Sequence, residues 1–311
     1  MTVFFSRQKW QEAYEKAGFY RNETNTIEYW DKVAETDGGS LSGKKHIECI
    51  KDYLVARKLI GAQSTVLDIG CGLGEYVREF ADICGHVTAL DYSEKMLSVC
   101  KERCKTAGIE NVSFILADFM EYDFTEKYDC IIASLNPTTY QPDAFDKMLA
   151  LSAGPVIYFS MDTPIDGLDT EPVYCGCNSV RYAEEYLKEK GIYYRKIPYS
   201  YDHIMDDGKI RNIDFAYLVA IKDENMDDVT LAHRFSNNHM AALKKDKICG
   251  CFYCTGIFSP DEIEDWLIDD NDCDRYGTAI CPYCGIDSVI GESSGFPITK
   301  EFLNRMKDRW F

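Results

Sequence analysis

The chain has 311 residues, of which 46% are hydrophobic and 28% are charged, the composition of a globular protein with an apolar core. Its formal net charge of −18 argues against a nucleic-acid or anionic-membrane partner, because affinity for phosphate groups comes mostly from Lys and Arg. The first residues, MTVFFSRQKWQEAYEKAGF, lack the apolar run of a signal peptide, and no later run reaches the length of a membrane span. The sequence therefore predicts a soluble, cytoplasmic protein.

The cysteines are consistent with a reducing compartment. Most of the 14 lie singly, and several of these lie in apolar segments, at Cys49, Cys84, Cys100, Cys104 and Cys130. Cysteines of this kind are expected to be buried thiols and not disulfides.

Helical patterns precede the first predicted strand. Residues 1–45 contain RQKWQEAYEKAGF and TIEYWDKVAE, followed by the loop DGGSLSG. The next segment, HIECIKDYLVARKLIG, carries Ile47, Ile50 and Leu54 at helical spacing. It predicts a helix with one buried face that ends at Gly61.

From residue 65 onward, strand and helix patterns alternate. Strands are predicted at TVLDIG, HVTALD, VSFILAD, YDCIIASL and PVIYFSM, and helices at LGEYVREFADIC, SEKMLSVCKERCKTAG, DAFDKMLALSA and SVRYAEEYLKEKG. This order predicts an α/β fold with a doubly wound, mostly parallel sheet. YRKIPYSYDHIM, an Asp207-Gly208 turn and KIRNIDFAYLVAI then predict a hairpin of two long strands. The acidic join KDENMDD predicts a domain boundary near residue 225.

Three successive strand ends carry residues suited to one ligand. The first strand runs into the turn DIGCGLG, residues 68–74, where missing Cβ atoms let a ligand lie against the backbone. The second ends in Asp91, which can accept hydrogen bonds from ribose hydroxyl groups. The third ends in Asp118 and Phe119, an acceptor for an exocyclic amine beside an aromatic surface. Because such strand ends meet at one edge of an open sheet, together they predict an adenosine derivative.

Each of these features also has a simpler interpretation. A glycine-rich turn can join a strand to a helix without binding a ligand, and Asp91 could cap the following helix, although Ser93 suits that position better. Cys71 could be a small buried residue and not a nucleophile. The dinucleotide fingerprint G-x-G-x-x-G would need glycine at position 75, where this chain has Glu75, so the turn does not indicate a pyrophosphate site.

The motifs VLDIGCGLG, the strand-ending Asp91, LADF and the closing hairpin resemble, in this order, the class I S-adenosylmethionine-dependent methyltransferase family over roughly residues 45–222. The resemblance implies a seven-stranded sheet with an antiparallel last strand. It also implies a turn around the methionine part of S-adenosylmethionine, an acid at the ribose, and further residues at the adenine and near the sulfonium. The implied cofactor-binding residues are Asp68, Gly70, Cys71, Gly72, Gly74, Asp91, Tyr92, Asp118, Phe119, Ser134 and Leu135.

The cofactor motifs of the family name no catalytic residue. The sulfonium methyl group is already activated, so a protein mainly has to hold a nucleophile in line with it and exclude water. Asn136, after the fourth strand, is the candidate for orienting a substrate. The run NPTTY is similar to the N-P-P-Y type motif of methyltransferases that act on amino groups. Two threonines replace its middle, which disfavours a nucleobase or glutamine amine as acceptor.

Two segments lie where related enzymes carry substrate-binding elements. Residues 1–45 would form a helical lid, unless their aromatic residues only pack a helix onto the sheet. The segment DTPIDGLDTEPVYCGCNS lies where family members place substrate-recognition insertions, and its CGC could bind a soft metal, although two loop thiols are the simpler interpretation. The aromatic residues of the lid are Trp10, Tyr14, Tyr29 and Trp30.

Two C-x-x-C pairs lie in the last part of the chain. Cys251 and Cys254 form the first pair, Cys281 and Cys284 the second, and together they can supply four thiolates to one tetrahedral zinc ion. A redox-active pair is the alternative.

The surroundings of these pairs also carry signals. Gly256 and Gly285 follow the pairs and leave the chain free to turn its amides toward sulfur. The capping box SPDE, residues 259–262, predicts a helix that continues through IEDWLI.

The part from about residue 229 to residue 311 resembles a family of small uncharacterised bacterial cytoplasmic proteins, which implies a module and not a function. A structural zinc ion would stabilise a piece too small to bury a large core, so we expect a small zinc-ribbon-like α+β domain. The predicted domains are an N-terminal helical lid at residues 1–45, an S-adenosylmethionine-binding domain at 46–224 and a zinc-binding domain at 225–311.

These patterns together predict an enzyme that transfers a methyl group from S-adenosylmethionine to an acceptor, with a small molecule favoured. Two alternatives stay open. One is a non-catalytic module that binds the cofactor and reaches a partner protein through the zinc module. The other is a methyltransferase that acts on protein or RNA, although the acidic balance argues against RNA. The sequence does not indicate the acceptor atom or the oligomeric state.

Overall fold

The computed structural model describes residues 7–16, 26–36, 45–162, 179–204, 210–221, 228–237, 239–268 and 277–311. The chain divides into two compact units, Met1–Lys222 and Asp223–Phe311. The predicted Asp207-Gly208 turn and the CGC of the insertion after the fifth strand lie outside the described residues. Among the described helices, none combines the length and the apolar character needed to cross a membrane.

The first unit contains a seven-stranded sheet with the strand order β3-β2-β1-β4-β5-β7-β6. Strand β7 runs antiparallel to both of its neighbours, and the other pairings are parallel. The prediction of a mostly parallel sheet with an antiparallel last strand is therefore confirmed. The strands are β1 (Thr65–Ile69), β2 (His86–Asp91), β3 (Val112–Leu116), β4 (Cys130–Ser134), β5 (Pro155–Met161), β6 (Tyr193–Ile204) and β7 (Ile210–Ile221).

Helices flank the sheet strands in the chain order that the sequence predicts. Their ends follow the usual capping chemistry: Thr26 caps α2 and Ser93 caps α5 by accepting a backbone N–H of the first turn. Ser93, and not Asp91, is therefore the cap of α5. The helices of this unit are α1 (Arg7–Lys16), α2 (Ile27–Glu35), α3 (Lys45–Ala56), α4 (Glu75–Ala81), α5 (Glu94–Thr106), α6 (Pro142–Leu151) and α7 (Ser179–Glu189).

Helix α1 packs into the apolar core of this unit through Trp10. That side chain is 2% exposed, and its indole N–H donates to the carbonyl of Tyr140 at 2.8 Å. Its ring contacts Phe145 and Tyr186 at centroid distances of 5.6 and 5.5 Å. Tyr14 packs against the same core, so the simpler interpretation, packing of a helix, fits these two aromatic residues.

The order of the central strands places the carboxyl ends of three strands side by side. Ile69 of β1 pairs with Leu90 of β2 on one side and with Ala133 of β4 on the other. Since all three strands are parallel, the residues that follow them meet at one edge of the sheet. This edge is where the glycine-rich turn, Asp91 and Ser134 lie.

The second unit contains two small sheets and short helices. One sheet has the order β12-β8-β9 and the other pairs β10 with β11, all antiparallel. The elements are α8 (Asp228–His233), α9 (Met240–Leu243), β8 (Cys249–Cys251), β9 (Ile257–Phe258), β10 (Trp266–Leu267), β11 (Thr278–Ala279), β12 (Val289–Gly291) and α10 (Lys300–Trp310).

The prediction of a helix after the capping box is wrong. The box itself is present, because the Ser259 hydroxyl and the Glu262 carboxylate each accept a backbone N–H, but only the 3-10 turn Pro260–Glu262 follows. Ile263 is already extended, and β10 pairs with β11. Ile263 is buried in one apolar cluster with the cysteines and with Ala279, the strand partner of Trp266. Tertiary packing therefore outweighs the local helical signal.

Candidate functional site

The turn after β1 has the backbone shape that its glycines allow. Gly70, Gly72 and Gly74 have φ angles of 68°, 51° and 81°, a region that disfavours other residues. A Cβ atom at Gly74 would overlap the sulfur of Cys100, whereas one at Gly72 would meet nothing within 4 Å. The turn is therefore closed on the side of α5 and open at Gly72.

Asp91 ties this turn to the end of β2. One carboxylate oxygen accepts the backbone N–H of Gly72 and the other accepts that of Ser93, both at 2.9 Å. Burial raises the pKa of Asp91, and these backbone hydrogen bonds act in the opposite direction. Each oxygen keeps a lone pair for a further donor.

Asp68 is the most unusual side chain of the site. It is 2% exposed, and its Oδ2 atom has no hydrogen-bond partner among the described residues. Burial raises the pKa of Asp68 to about 8, and the nearby charge of Asp91 adds to this effect. A buried polar atom without a partner usually indicates a place for a ligand, ion or water.

A cavity of about 520 Å³ lies at this edge of the sheet. It brings together nine of the residues that the sequence predicts for the site. These nine are Asp68, Gly70, Cys71, Gly72, Asp91, Tyr92, Ser134, Leu135 and Asn136.

Three other predicted residues do not line this cavity. Gly74 forms the base of the turn against Cys100. Asp118 borders a neighbouring hollow of about 440 Å³, which shares Tyr92 with the cavity. Phe119 is 2% exposed in the apolar core and lines neither space, and the Lys147 ammonium lies 5.1 Å from its ring centroid.

The residues after β4 are held in an uncommon conformation. Leu135 has a φ angle of 48°, rare for a residue with a side chain, and its N–H donates to the carbonyl of Phe159 at 2.9 Å. The Asn136 amide donates to the carbonyl of Ile69 at 3.1 Å and accepts the N–H of Thr138 at 3.0 Å. Asn136 therefore fixes the chain between β4 and the glycine-rich turn. Strain of this kind is frequent at functional sites.

Helix α2 borders the same cavity through Tyr29 and Trp30, whose ring centroids are 5.1 Å apart. The helix is attached to α5: the hydroxyl of Ser93 donates to the Asp31 carboxylate at 2.6 Å, and Lys95 forms an ion pair with Glu35. These two aromatic residues thus lie where a cover of the cavity would lie.

His46 and Tyr76 are among the cavity residues that sequence reasoning missed. Tyr76 lies two residues after Gly74 of the glycine-rich turn, and this position could have indicated that it lines the cavity. His46 comes from the start of α3 and is 2% exposed, with its ring stacked on Phe159 at a centroid distance of 5.2 Å. A single histidine at the start of a helix carries no signal of this contact in the sequence.

In the second unit, the four predicted cysteines come together. Their sulfur atoms lie within 4.8 Å of one another, with Cys251 3.6 Å from Cys284 and Cys254 3.7 Å from Cys281. Four sulfurs around one zinc ion, each bonded at about 2.3 Å, would lie about 3.8 Å apart. The arrangement is therefore close to that of a tetrahedral thiolate site.

The two cysteine turns have matching backbones. The N–H of Cys251 donates to the carbonyl of Gly256 at 2.9 Å, and that of Cys281 donates to the carbonyl of Ile286 at 3.0 Å. The residue after each second cysteine is left-handed, with φ angles of 58° at Thr255 and 74° at Gly285. In the first turn this residue is Thr255, so Gly256 does not have the role that the sequence predicts for it.

Residues 66–153 match the family model described as a methyltransferase domain. This stretch holds the glycine-rich turn, Asp91 and the residues after β4, within the strand order described above. This part of the chain is therefore similar to the methyltransferase domain family.

Known methyltransferases are similar to a part of this chain. Cycloartenol-C-24-methyltransferase from Arabidopsis thaliana is 35% identical over 104 residues, covering 33% of this chain and 31% of that protein. Demethylmenaquinone methyltransferase from Listeria welshimeri is 36% identical over 91 residues, covering 28% of this chain and 37% of that protein. The matched segment thus spans about a third of the length of these relatives.

Among solved structures, magnesium protoporphyrin IX methyltransferase from Synechocystis with bound SAH is similar to this chain with a TM-score of 0.46. The sequence identity is 16%, and the match covers 65% of this chain and 98% of that chain.

Proposed function

We propose that this protein transfers a methyl group from S-adenosylmethionine to a small-molecule acceptor. The observation that carries the proposal is the cavity at the ends of β1, β2 and β4, where the open glycine-rich turn, Asp68 and Asp91 meet. The relatives named above are, by name, methyltransferases of cycloartenol and demethylmenaquinone, which supports a small acceptor.

The residues of the cavity fit S-adenosylmethionine. The unpartnered oxygen of Asp68 can accept a hydrogen bond from the ammonium group of the methionine part. The open face of Gly72 leaves room for close approach to the backbone. Asp91 keeps lone pairs for the ribose hydroxyl groups, and Tyr92 and Asp118 border the hollow next to it, where the adenine would lie.

The bound cofactor would supply a methyl group that is activated by its attachment to a sulfonium centre. The protein then has to exclude water and place the acceptor. Tyr29 and Trp30 provide an apolar wall on the side of α2, in the place of the predicted lid. Asn136 holds the β4 end against the turn and is in our proposal a positioning residue.

We propose that the four cysteines of the second unit bind a structural zinc ion. The support is the near-tetrahedral spacing of their sulfur atoms and the matching backbone turns around them. Zinc binding would add folding free energy to a unit whose apolar clusters are small.

The cofactor assignment is tested with Asp91→Ala, by calorimetric titration of S-adenosylhomocysteine. We expect binding about 100-fold weaker than in the wild type, because hydrogen bonds from two hydroxyl groups to a charged acceptor are lost. Asp91→Asn keeps the shape of the side chain and should give a smaller loss. Asp82→Ala removes an exposed carboxyl that lines neither this cavity nor the neighbouring hollow, and it serves as the control. Unchanged affinity in a folded Asp91→Ala protein would contradict the ribose assignment.

The acceptor class is tested with methyl-labelled S-adenosylmethionine and a fractionated extract of the host. Label in the low-mass fraction supports the proposal and delivers the substrate for identification. Label confined to macromolecules would show that the acceptor is protein or RNA. Tight cofactor binding without labelling of any fraction would favour a non-catalytic module.

A further inference from the structure

The cavity is also lined by His46 and Tyr76, to which no part of the cofactor is assigned. The residues proposed to hold the methionine part and the ribose lie at β1 and β2, whereas His46 packs against Phe159 of β5 and Tyr217 of β7. Three strand spacings of about 4.8 Å separate β2 from β5, so about 14 Å of sheet edge lies between Asp91 and this region. This is the end of the cavity left for an acceptor.

Next to this end of the cavity lies a row of side chains at one level of the sheet, of which Ser134 lines the cavity and the other two are buried. Ser134 of β4 is paired with Phe159 of β5, and Phe159 is paired with Tyr217 of β7. Residues paired in this way share a face of the sheet. The ring of His46 is stacked on this row, with centroid distances of 5.2 Å to Phe159 and 6.4 Å to Tyr217.

Tyr76 joins the row to the glycine-rich turn. Its hydroxyl oxygen lies 2.7 Å from that of Tyr217, and its side chain is also hydrogen-bonded to Ser134. Burial raises the pKa of Tyr76 and of Tyr217 well above the ordinary value, so both stay protonated near neutral pH. Neither hydroxyl can then serve as a base, and the imidazole of His46 is the group here suited to accept a proton.

The charges around the cavity disfavour an anionic acceptor. Among the described residues that line it, three are acidic, Asp68, Glu75 and Asp91, and none is a lysine or arginine. A phosphate or carboxylate group of the acceptor would lie close to these acidic side chains without a lysine or arginine of the described lining to compensate its charge. An uncharged flat ring, by contrast, matches the aromatic wall of His46 and Tyr76.

We infer that the part of the cavity lined by His46, Tyr76 and Ser134 binds an uncharged aromatic acceptor with a weakly acidic hydroxyl group, and that His46 accepts the proton of this hydroxyl. The inference rests on the proposed function. In this step the O–H bond breaks and the proton moves to a ring nitrogen of His46. The electron pair on oxygen forms the bond to the methyl carbon, and the pair of the broken C–S bond stays on sulfur.

The test uses the full chain and two probes, 4-nitrophenol and 4-nitroanisole. The probes differ in the hydroxyl proton, which the second lacks, and 4-nitrophenol absorbs visible light strongly only when ionised. At a pH below its own pKa, we expect bound 4-nitrophenol to show this visible band. We also expect it to bind about tenfold more tightly than 4-nitroanisole, the effect of one hydrogen bond.

His46→Phe keeps a ring on Phe159 but removes the proton acceptor. We expect this variant to lose the visible band and to bind both probes equally, and His46→Gln, a second variant with a polar side chain, to lose the band as well. His86→Gln is the matched control, because His86 begins β2 and lines neither cavity. It should behave as the wild type.

Two results would overturn the inference. One is a visible band that persists in both His46 variants. The other is failure of the wild type to bind either probe while it binds S-adenosylhomocysteine. Titration of S-adenosylhomocysteine into the same proteins separates this failure from that of the proposed function. His86→Gln should bind it as the wild type does, and a wild type that does not bind it would refute the proposed function itself.

Discussion

The two units of the chain differ in the apolar clusters that their described residues form. In Met1–Lys222, one apolar cluster extends from Trp10 of α1 to Ala220 of β7 and includes side chains from most strands of the sheet. Among the described residues of Asp223–Phe311 the clusters are smaller, and one of them includes Cys249, Cys251 and Cys281, with Cys254 and Cys284 packed against it.

We expect the first unit to be stabilised mainly by burial of apolar surface and the second mainly by its proposed zinc site. Burial of apolar surface contributes about 25 cal/mol per Å², so a large core does not depend on any single side chain. A small unit buries too little surface for this, and such units usually rely on a metal or disulfides. Loss of one cysteine should therefore affect the second unit as a whole, whereas changes in the first unit should have graded effects.

The largest effect is expected from Cys254→Ser. One thiolate of the four is lost, and structural zinc sites contribute about 10 kcal/mol or more to folding. We expect the variant to bind no zinc and the second unit to lose its protection against hydrogen exchange, as measured by mass spectrometry. Peptides from β1, β4 and β5 should keep their protection.

Cys49→Ser is the matched control, because this exposed thiol of α3 lies outside the cysteine cluster. A strong chelator should reproduce the effect of Cys254→Ser in the wild type. Full protection of the second unit after removal of all metal would show that its fold does not depend on zinc.

Much of the fold could be predicted from the sequence because the first unit has regular local patterns. The alternation from TVLDIG to PVIYFSM predicts the parallel strands, and the two long strand patterns on either side of Asp207-Gly208 predict the hairpin. The segment after Ser259 could not be predicted in this way. Its capping box is a correct local signal, but the path beyond Ile263 is set by contacts with residues distant in sequence, among them Ala279.

The candidate site also combines residues that local sequence patterns predict with residues that only long-range contacts bring there. The glycine-rich turn and Asp91 are adjacent to strands whose order follows from the fold class, so the sequence indicates that they meet. The contact of His46 with Phe159 and Tyr217 joins three elements far apart in the chain, and no local pattern encodes it. Phe119 shows the reverse case, since the pair Asp118-Phe119 does not reveal which of the two side chains turns into the core.

The second prediction concerns Asp68, a buried carboxyl group of the first unit. Its pKa is raised to about 8, so between about pH 4 and pH 8 the folded chain holds a proton that the unfolded chain has released. The folded state then binds more protons, and the contribution of Asp68 to stability falls as pH rises through this window. Asp68→Asn imitates the protonated form. It should gain in unfolding free energy relative to the wild type, by at most about 1.4 kcal/mol per pH unit.

The measurement is urea unfolding followed by tryptophan fluorescence, in a background where Trp266→Phe and Trp310→Phe leave Trp10 and Trp30 as reporters of the first unit. Asp82→Asn removes an exposed carboxyl and is the control. A constant difference between Asp68→Asn and the wild type from pH 4 to pH 8 would contradict the burial of an unpartnered carboxyl.

The smallest effects are expected from two alanine substitutions in one turn, and they test whether the first unit responds in a graded way. Gly74→Ala places a Cβ against the sulfur of Cys100 and also strains a left-handed backbone. Overpacking and strain together should destabilise the unit by about 2 to 4 kcal/mol. Gly72→Ala meets no neighbour within 4 Å, so only the strain of about 1 kcal/mol is expected.

Combining each substitution with Cys100→Ala distinguishes the two further, because this change removes the sulfur atom that the Cβ at position 74 would meet. In the same fluorescence-detected urea unfolding, Gly74→Ala should be partly rescued by Cys100→Ala, whereas Gly72→Ala should add to it without coupling. Equal losses for Gly72→Ala and Gly74→Ala would mean that backbone strain alone sets the cost in this turn. A loss of protection that spread from Gly74→Ala through the whole first unit would mean that this unit, like the second, depends on a single local contact.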